Sequence, residues 1–187
     1  MVKPILVANW KNHPSSLAEA KMIVKGLSSQ KLLYKRLHFF IAPPLPYFDL
    51  VSEKTRNYAR LASQDIAQVT HTTTGAVTPD ILKSFGTKLS IIGHSERRAL
   101  GETSSEVSQK IQVALSTGIT PLVCVGEISR DEDGNYFEFL REQITHSLAG
   151  LNYKLFKTAG LAVAYEPVWA IGKEAESAIK PSDLAEM

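Results

Sequence analysis

The chain has 187 residues, of which 44% are hydrophobic and 21% charged, a balance typical of a soluble globular domain. Its formal net charge is only +2 and its 21 basic residues are scattered, which argues against a nucleic-acid-binding surface. We recognise neither a signal peptide nor a membrane span, and the lone Cys124 has no partner for an internal disulfide, so we expect a cytoplasmic protein with no membrane partner.

Six short runs of apolar, β-branched or aromatic residues predict β-strands. They cover residues 5–9, 37–42, 60–64, 88–93, 119–126 and 160–166. Most of these runs are apolar on both faces, as expected of parallel strands that are covered on each side of the sheet.

Segments with helical periodicity lie between the strands. They cover residues 15–27, 46–55, 78–86, 105–118 and 136–151. Alternation of strand and helix predicts a parallel α/β sheet with right-handed crossovers. No glycine- or serine-rich linker interrupts this order, so we predict a single domain over residues 1–187.

Two architectures fit this order of elements: a doubly wound open sheet and part of a (β/α)8 barrel. The first strand is not followed by a glycine-rich phosphate loop, which weakens the case for an open sheet that binds a nucleotide. Polar residues instead follow the carboxyl ends of four predicted strands, namely Asn9, Lys11, His94, Glu127 and Glu166. A barrel gathers such residues around one rim, where catalytic groups collect, so we favour the barrel.

Lys11 and His94 each permit two interpretations. Lys11 is either a solvated loop residue or a fixed positive charge for an anionic substrate. His94 is either an ordinary loop histidine or a neutral hydrogen-bond donor. The second interpretation follows because residues 95–98, "SERR", predict a helix start with Ser95 near its N-cap, and the positive end of a helix disfavours imidazolium.

Glu166 is the strongest single candidate for chemistry. It ends an apolar strand, where a buried carboxylate must be compensated or shift its pKa. Pro167 favours an extended conformation at Glu166, which keeps the carboxylate at the rim. A structural ion pair is one interpretation, and a general base that removes a proton from the substrate is the other.

Together, four segments resemble the signature segments of the triosephosphate isomerase family, in the same order. They read "ANWKN" (8–12), "IIGHSERR" (91–98), "PLVCVGE" (121–127) and "AYEPVWAIG" (164–172). The resemblance implies a (β/α)8 barrel that interconverts dihydroxyacetone phosphate and glyceraldehyde 3-phosphate. It calls for no metal and no organic cofactor.

The resemblance also implies catalytic roles. Glu166 would be the base, and His94 would polarise the carbonyl and stabilise the enediolate. Lys11 would neutralise negative charge and bind the phosphate, and Asn9 would help to place the carbonyl end of the substrate. A glutamate base with a neutral histidine is a known pairing in this family.

Further roles implied by the resemblance are supporting ones. Glu96 and Arg97, next to Ser95, would form an ion pair beneath the site. Residues 167–172 would begin a closing loop, with a backbone N–H near Gly172 for the phosphate. Thr74 would enter the site of a neighbouring subunit.

The chain departs from the family pattern at two loops. The segment "GKEAESAIKP" (172–181) is longer than the family's loop and lacks its second glycine. Ala76 stands where the family has a glutamate that pairs with an arginine of a partner subunit, so the usual dimer contact is weakened.

The length of the chain is a third departure, because a (β/α)8 enzyme needs about 250 residues. We expect six βα units that end within the sixth helix, near "KPSDLAEM" (180–187). Our leading interpretation is an isomerase subunit completed by a second polypeptide of roughly 60 residues, which supplies units seven and eight and assembles into a dimer or higher oligomer. The alternatives are a non-catalytic remnant that serves as a scaffold or binding module, and a different phosphate-handling barrel.

Overall fold

The computed structural model describes residues 3–34, 36–68 and 73–172. Within them, six parallel strands form one sheet. The strands are β1 (Ile5–Asn9), β2 (His38–Ala42), β3 (Arg60–Ser63), β4 (Leu89–Ile92), β5 (Thr120–Val125) and β6 (Ala162–Tyr165). Each predicted strand is therefore confirmed, with its ends shifted by no more than a few residues.

Helices separate consecutive strands, as the periodicity predicts. They are α1 (Leu17–Ser29), α2 (Lys31–Tyr34), α3 (Phe48–Thr55), α4 (Pro79–Ser84), α5 (Ser95–Ala99), α6 (Ser104–Thr117), α7 (Asn135–Ser147) and α8 (Tyr153–Ala159), with 3₁₀ turns at Leu45–Tyr47 and Val168–Ala170. The predicted sixth helix lies outside the described residues. No helix in the described ranges is both long and apolar enough to cross a membrane.

The helical segment before β6 differs from the prediction. The periodic segment 136–151 is a helix only to Ser147, and a separate helix, α8, follows. Gly150 lies between them in the left-handed region, at φ 69°, and Asn152 caps α8 by accepting from the N–H groups of Lys154 and Leu155. Asparagine is a strong N-cap signal, and the sequence interpretation did not use it here.

The order of the strands distinguishes the two candidate architectures. The sheet runs β1-β2-β3-β4-β5-β6, so every strand lies beside the next one in the chain. A doubly wound sheet reverses its order at a switch point, whereas a (β/α)8 barrel winds in one direction. The chain therefore has the architecture of an incomplete barrel, and the doubly wound alternative is wrong.

The two faces of the sheet have separate apolar clusters, because side chains alternate along each strand. Phe39, Ile41 and Val123 face outward and pack against helices that contribute Val24 and Ile111. The inward cluster contains Phe40, Ala42, Ala62, Leu89, Ile91 and Cys124. Burial raises the pKa of the Cys124 thiol to about 12, with the nearby Glu166 charge adding to it, so this residue packs as the predicted small hydrophobe.

Strands β1 and β6 are the two edges of the described sheet. Ile5 and Leu6 on β1 are 55% and 43% exposed, and Val163 on β6 is 50% exposed. The core strand β4, by contrast, is buried along its whole length. Within the described residues, the outer sides of β1 and β6 carry no neighbouring strand.

Candidate active site

The alternation of side chains turns the rim residues toward one cavity. Asn9 continues the inward series of Ile5 and Val7 on β1, and Glu166 continues that of Ala162 and Ala164 on β6. The cavity has a volume of about 520 Å³ and is lined by Ile5, Val7, Asn9, Lys11, Ile91, His94, Leu122, Cys124, Ala162, Val163, Ala164, Glu166 and Ile171. The structure thus brings together Asn9, Lys11, His94 and Glu166, as expected for the rim of a barrel.

His94 and the backbone of Ser95 both bind the carboxylate of Glu166. His94 Nε2 lies 2.9 Å from Oε1, and the backbone N–H of Ser95 donates to Oε2 at 3.0 Å. The Glu166 backbone is fixed as well, since its N–H donates to the Val125 carbonyl at 2.8 Å. The carboxylate is therefore held at the rim and aimed at the first turn of α5.

The pKa values of Glu166 and His94 move in opposite directions. The hydrogen bond to Glu166 raises the pKa of His94 above its ordinary value, although burial acts against this. Burial pushes the pKa of Glu166 upward, but hydrogen bonds from His94 and the Ser95 N–H outweigh it and lower the pKa. Each partner therefore favours the charged form of the other.

Helix α5 begins one residue earlier than the sequence indicates. The N-cap is His94, whose Nδ1 accepts the N–H of Glu96 at 3.2 Å, and Ser95 is the first helical residue. A ring nitrogen that accepts a hydrogen bond carries no proton. This contact favours the neutral tautomer with a proton on Nε2, while the Glu166 charge favours imidazolium. The neutral state of His94 stays a prediction.

Lys11 has a backbone in the left-handed region, at φ 53°, which is rare for a residue with a side chain. Two neighbouring side chains hold it there. Asn9 Oδ1 accepts the Lys11 N–H at 2.9 Å, and Gln64 Nε2 donates to the Lys11 carbonyl at 2.6 Å. Gln64 also donates to the carbonyl of Ala42 at 2.9 Å, so it ties the loop after β1 to the end of β2.

Gln64 is a functional candidate that the sequence interpretation missed. It follows the end of β3, the same position relative to a strand that marked the other rim residues. The signal was therefore present, but a glutamine carries no charge and does not suggest chemistry by itself.

The supporting ion pair differs from the prediction. Glu96 Oε1 binds Lys11 Nζ at 2.6 Å instead of pairing with Arg97. Arg97 binds Asp65 at 2.9 Å and Glu102 at 3.2 Å. Neighbouring residues on a helix point in different directions, which separates Glu96 from Arg97. The predicted Glu96–Arg97 pair is wrong for this structure.

Glu127 does not line the cavity, unlike the other rim residues. Its side chain is buried and its Oε1 accepts hydrogen bonds from Tyr165 Oη (2.6 Å), Trp169 Nε1 (2.7 Å) and Arg130 Nε (2.8 Å). Burial raises the pKa of Glu127, but these bonds outweigh it and hold the pKa below its ordinary value. Glu127 thus fixes the side chains of Tyr165 and Trp169, which lie on either side of Glu166 in the chain.

The remaining predicted residues lie apart from this cluster. Thr74 is in an exposed turn before α4 and does not line the cavity. Gly172 is exposed at φ 76°, next to Ile171, which does line it. The loop segment that departs from the family pattern (172–181) lies, beyond Gly172, outside the described residues. Within the described ranges, no group of three or more metal-ligating side chains is arranged to hold a metal ion.

Comparison with known proteins places the chain in a family. The family described as triosephosphate isomerase matches residues 4–185. The triosephosphate isomerase of Vesicomyosocius okutanii is 37% identical over 176 residues, which is 92% of this chain and 69% of the relative. That of Thermoanaerobacter pseudethanolicus is 36% identical with the same coverage, and that of Xanthomonas oryzae pv. oryzae is 35% identical over 92% of this chain and 68% of the relative. The chain belongs to the triosephosphate isomerase family.

Proposed function

We propose that the chain is a catalytic subunit of a triosephosphate isomerase, which interconverts dihydroxyacetone phosphate and D-glyceraldehyde 3-phosphate. The observation that carries this proposal is the pairing of Glu166 with His94, 2.9 Å apart at the rim of a cavity that Asn9 and Lys11 also line. A carboxylate base beside a hydrogen-bond donor is what proton transfer next to a carbonyl requires.

Glu166 removes the proton from the carbon beside the carbonyl and returns it to the neighbouring carbon. Its lowered pKa keeps it ionised at neutral pH, and so ready to accept that proton. Bound substrate must separate Glu166 from His94, because in the reaction each of these two side chains contacts the substrate instead of the other. This exchange frees the His94 Nε2–H to bind the substrate oxygen.

His94 stabilises the enediolate that forms when the proton leaves. The N–H of Glu96 holds Nδ1 as an acceptor, so the proton on Nε2 points into the cavity. The ring is fixed by its place as the N-cap of α5, and no reorganisation is needed as negative charge develops.

Lys11 supplies positive charge for the phosphate and for the developing enediolate. Its ammonium group is held by Glu96, and its backbone by Asn9 and Gln64. A lysine whose backbone and ammonium group are held in this way needs little reorganisation when an anion binds. Asn9 lines the cavity beside it and helps to place the carbonyl end of the substrate.

The segment Pro167–Gly172 is the start of a lid. Ile171 lines the cavity, while Trp169 is anchored to Glu127 outside it. Closure of this segment over bound substrate excludes water, which protects an enediol phosphate from losing its phosphate. A backbone N–H near Gly172 then contacts the phosphate group.

Two further βα units complete the barrel between β6 and β1. They pair with both sheet edges, cover the exposed Ile5 and Val163, and bring the loops that hold most of the phosphate. We place these units on a second polypeptide of roughly 60 residues, in an assembly that is a dimer or a higher oligomer. A cytoplasmic location also stays a prediction.

The test is an isomerase assay with size-exclusion chromatography on the 20.6 kDa chain, with and without a polypeptide that carries βα units seven and eight. We expect the mixture to elute as one tight complex and to isomerise triose phosphates, while the chain alone self-associates and is nearly inactive. A matched control is the same polypeptide with its strand residues replaced by proline, which removes strand pairing. A monodisperse, fully active chain alone would refute completion by a second polypeptide.

A further inference from the structure

We propose that Gly126 and Gln143 are positioning residues for the catalytic base. In this arrangement Gln143 on α7 fixes the backbone of Gly126, and Gly126 fixes the main chain of Glu166. The inference rests on the proposed isomerase function, since it assigns what aligns Glu166 for that reaction. Neither Gly126 nor Gln143 lines the cavity that holds Lys11 and His94, so neither is a catalytic residue.

The first step is the contact between Gly126 and Glu166. A Cβ atom on residue 126 would lie 1.7 Å from the carbonyl oxygen of Glu166 and 2.7 Å from its carbonyl carbon. Both obstructing atoms belong to the backbone, so no side-chain rotation could relieve the overlap. Glycine is required here because the main chain of Glu166 occupies the space of a side chain.

The second step is the hydrogen bond from Gly126 to α7. The Glu166 N–H donates to the Val125 carbonyl, which extends the β5–β6 ladder to the rim. The next amide, the N–H of Gly126, donates to Gln143 Oε1 at 2.8 Å. Gly126 is buried, so this amide would be costly to leave without an acceptor. Gln143 satisfies it and links the rim to the helix layer.

The third step connects this link to the carboxylate. Glu166 makes contacts of 2.9 Å with His94 and 3.0 Å with the Ser95 N–H, and both are sensitive to small shifts of its backbone. A misplacement of about 1 Å can cost about 100-fold in rate. Glu127 acts on the flanking residues through Tyr165 and Trp169, but the Gly126 contact acts on Glu166 itself.

The experiment compares variants at residue 143 in the form of the full chain that isomerises triose phosphates. Gln143→Met keeps the length of the side chain and removes the acceptor, and we expect kcat to fall about tenfold while KM changes less than about twofold. Gln143→Glu keeps an acceptor oxygen and should recover most of the lost kcat. Gln109→Met makes the same change at an exposed position of α6 and should leave both constants unchanged.

Gly126→Ala should be the most damaging change, with a loss in kcat of about 100-fold or failure to fold. Because either result fits a tight backbone contact, the decision rests on Gln143. If Gln143→Met lowers thermal stability but leaves kcat and KM unchanged, Gln143 is only structural and the inference is overturned. It is overturned as well if Gln143→Glu recovers no more kcat than a second acceptor-free variant, Gln143→Leu.

A readout independent of activity separates this inference from the proposed function. The carboxyl carbon of Glu166 can be titrated by NMR in ¹³C-glutamate-labelled protein. We expect Gln143→Met to shift its pKa and Gln109→Met to leave it unchanged, because only the first alters the contacts of Glu166. If the unsubstituted assembly has no isomerase activity, the proposed function fails while this titration still tests the inference. If the pKa of Glu166 is unchanged in Gln143→Met, the inference is overturned.

Discussion

The central strands and the edge strands of the sheet hold different parts of the site. Strand β4 is buried along its length and carries His94 just beyond its end, whereas β1 and β6 are the partly exposed edges that carry Asn9 and Glu166. The two edges also lie farthest apart in the strand order. The proposed hydrogen-bond donor is therefore anchored in the core, while the proposed base and the proposed substrate-binding residue depend on how the edges are fixed.

The contacts of Glu166 show how one edge is steadied in this structure. Strand β6 is paired only with β5 among the described strands, yet the Glu166 carboxylate reaches α5 through His94 and Ser95. Lys11, beyond the other edge, reaches the same helix through Glu96. Side chains therefore link both edges of the sheet to helix α5, which follows the buried strand β4.

The largest effect is expected from removing the proposed base, Glu166, at the edge of the sheet. Glu166→Gln removes the negative charge that accepts the proton, so we expect kcat to fall by about 10³- to 10⁴-fold in the completed assembly. Stopped-flow or coupled isomerase assays measure this loss. Glu53→Gln is a matched control, since Glu53 is an exposed residue of α3. Near-normal isomerisation by Glu166→Gln would show that Glu166 is not the base.

A smaller loss is expected at the central strand. His94→Gln replaces the proposed donor to the carbonyl oxygen, and we expect kcat to fall by about 10²- to 10³-fold with the fold intact. His38→Gln, at the start of β2 and far from the rim, is a suitable control. Circular dichroism checks the fold of both variants. An unchanged rate in His94→Gln would remove His94 from the mechanism.

Stability should distinguish the core strand from the edge strand. Ile92 on β4 is fully buried, so Ile92→Ala should cost about 2–5 kcal/mol. Ile5 on β1 is 55% exposed, so Ile5→Ala should cost less than about 1 kcal/mol in the chain alone. Adding βα units seven and eight should raise the cost of Ile5→Ala. Denaturant unfolding measures the cost of Ile92→Ala and the cost of Ile5→Ala without and with the added units. Equal costs of Ile5→Ala in the two cases would contradict the proposal that the added units pair with β1.

The sequence predicts the strands and the rim well because both depend on local patterns. Runs of apolar residues mark buried parallel strands, and Asn9, Lys11, His94 and Glu166 follow strand ends that a barrel brings to one rim. The contacts among them depend on tertiary distances that a linear pattern does not contain. For this reason the linear pattern does not reveal Lys11 as the partner of Glu96, for which the family resemblance implies Arg97, or the contact of Gln64 with the Lys11 backbone.

The smallest effect we predict is a shift in the pKa of His94 when its partner is removed. Hydrogen bonding to Glu166 is the main cause that raises the pKa of His94 above 6.5, so Glu166→Gln should lower it. A two-dimensional NMR titration of the imidazole carbon-bound protons follows His94 directly. The exposed Glu53 has no part in this contact, so Glu53→Gln should leave the titration unchanged.

The same pair should contribute to stability over a limited pH range. The raised pKa of His94 contributes stability below about pH 6.5 that is lost as the pH rises through that raised value. The lowered pKa of Glu166 contributes stability above about pH 4.5 that is lost as the pH falls through that lowered value. Glu166→Gln should therefore destabilise the protein more at about pH 5.5 than at about pH 8.5, as measured by urea unfolding. A penalty that does not change with pH would mean that Glu166 and His94 are not paired in solution, and that the remaining contacts, such as those of Glu166 with the Ser95 N–H and of Tyr165 with Glu127, hold the end of β6.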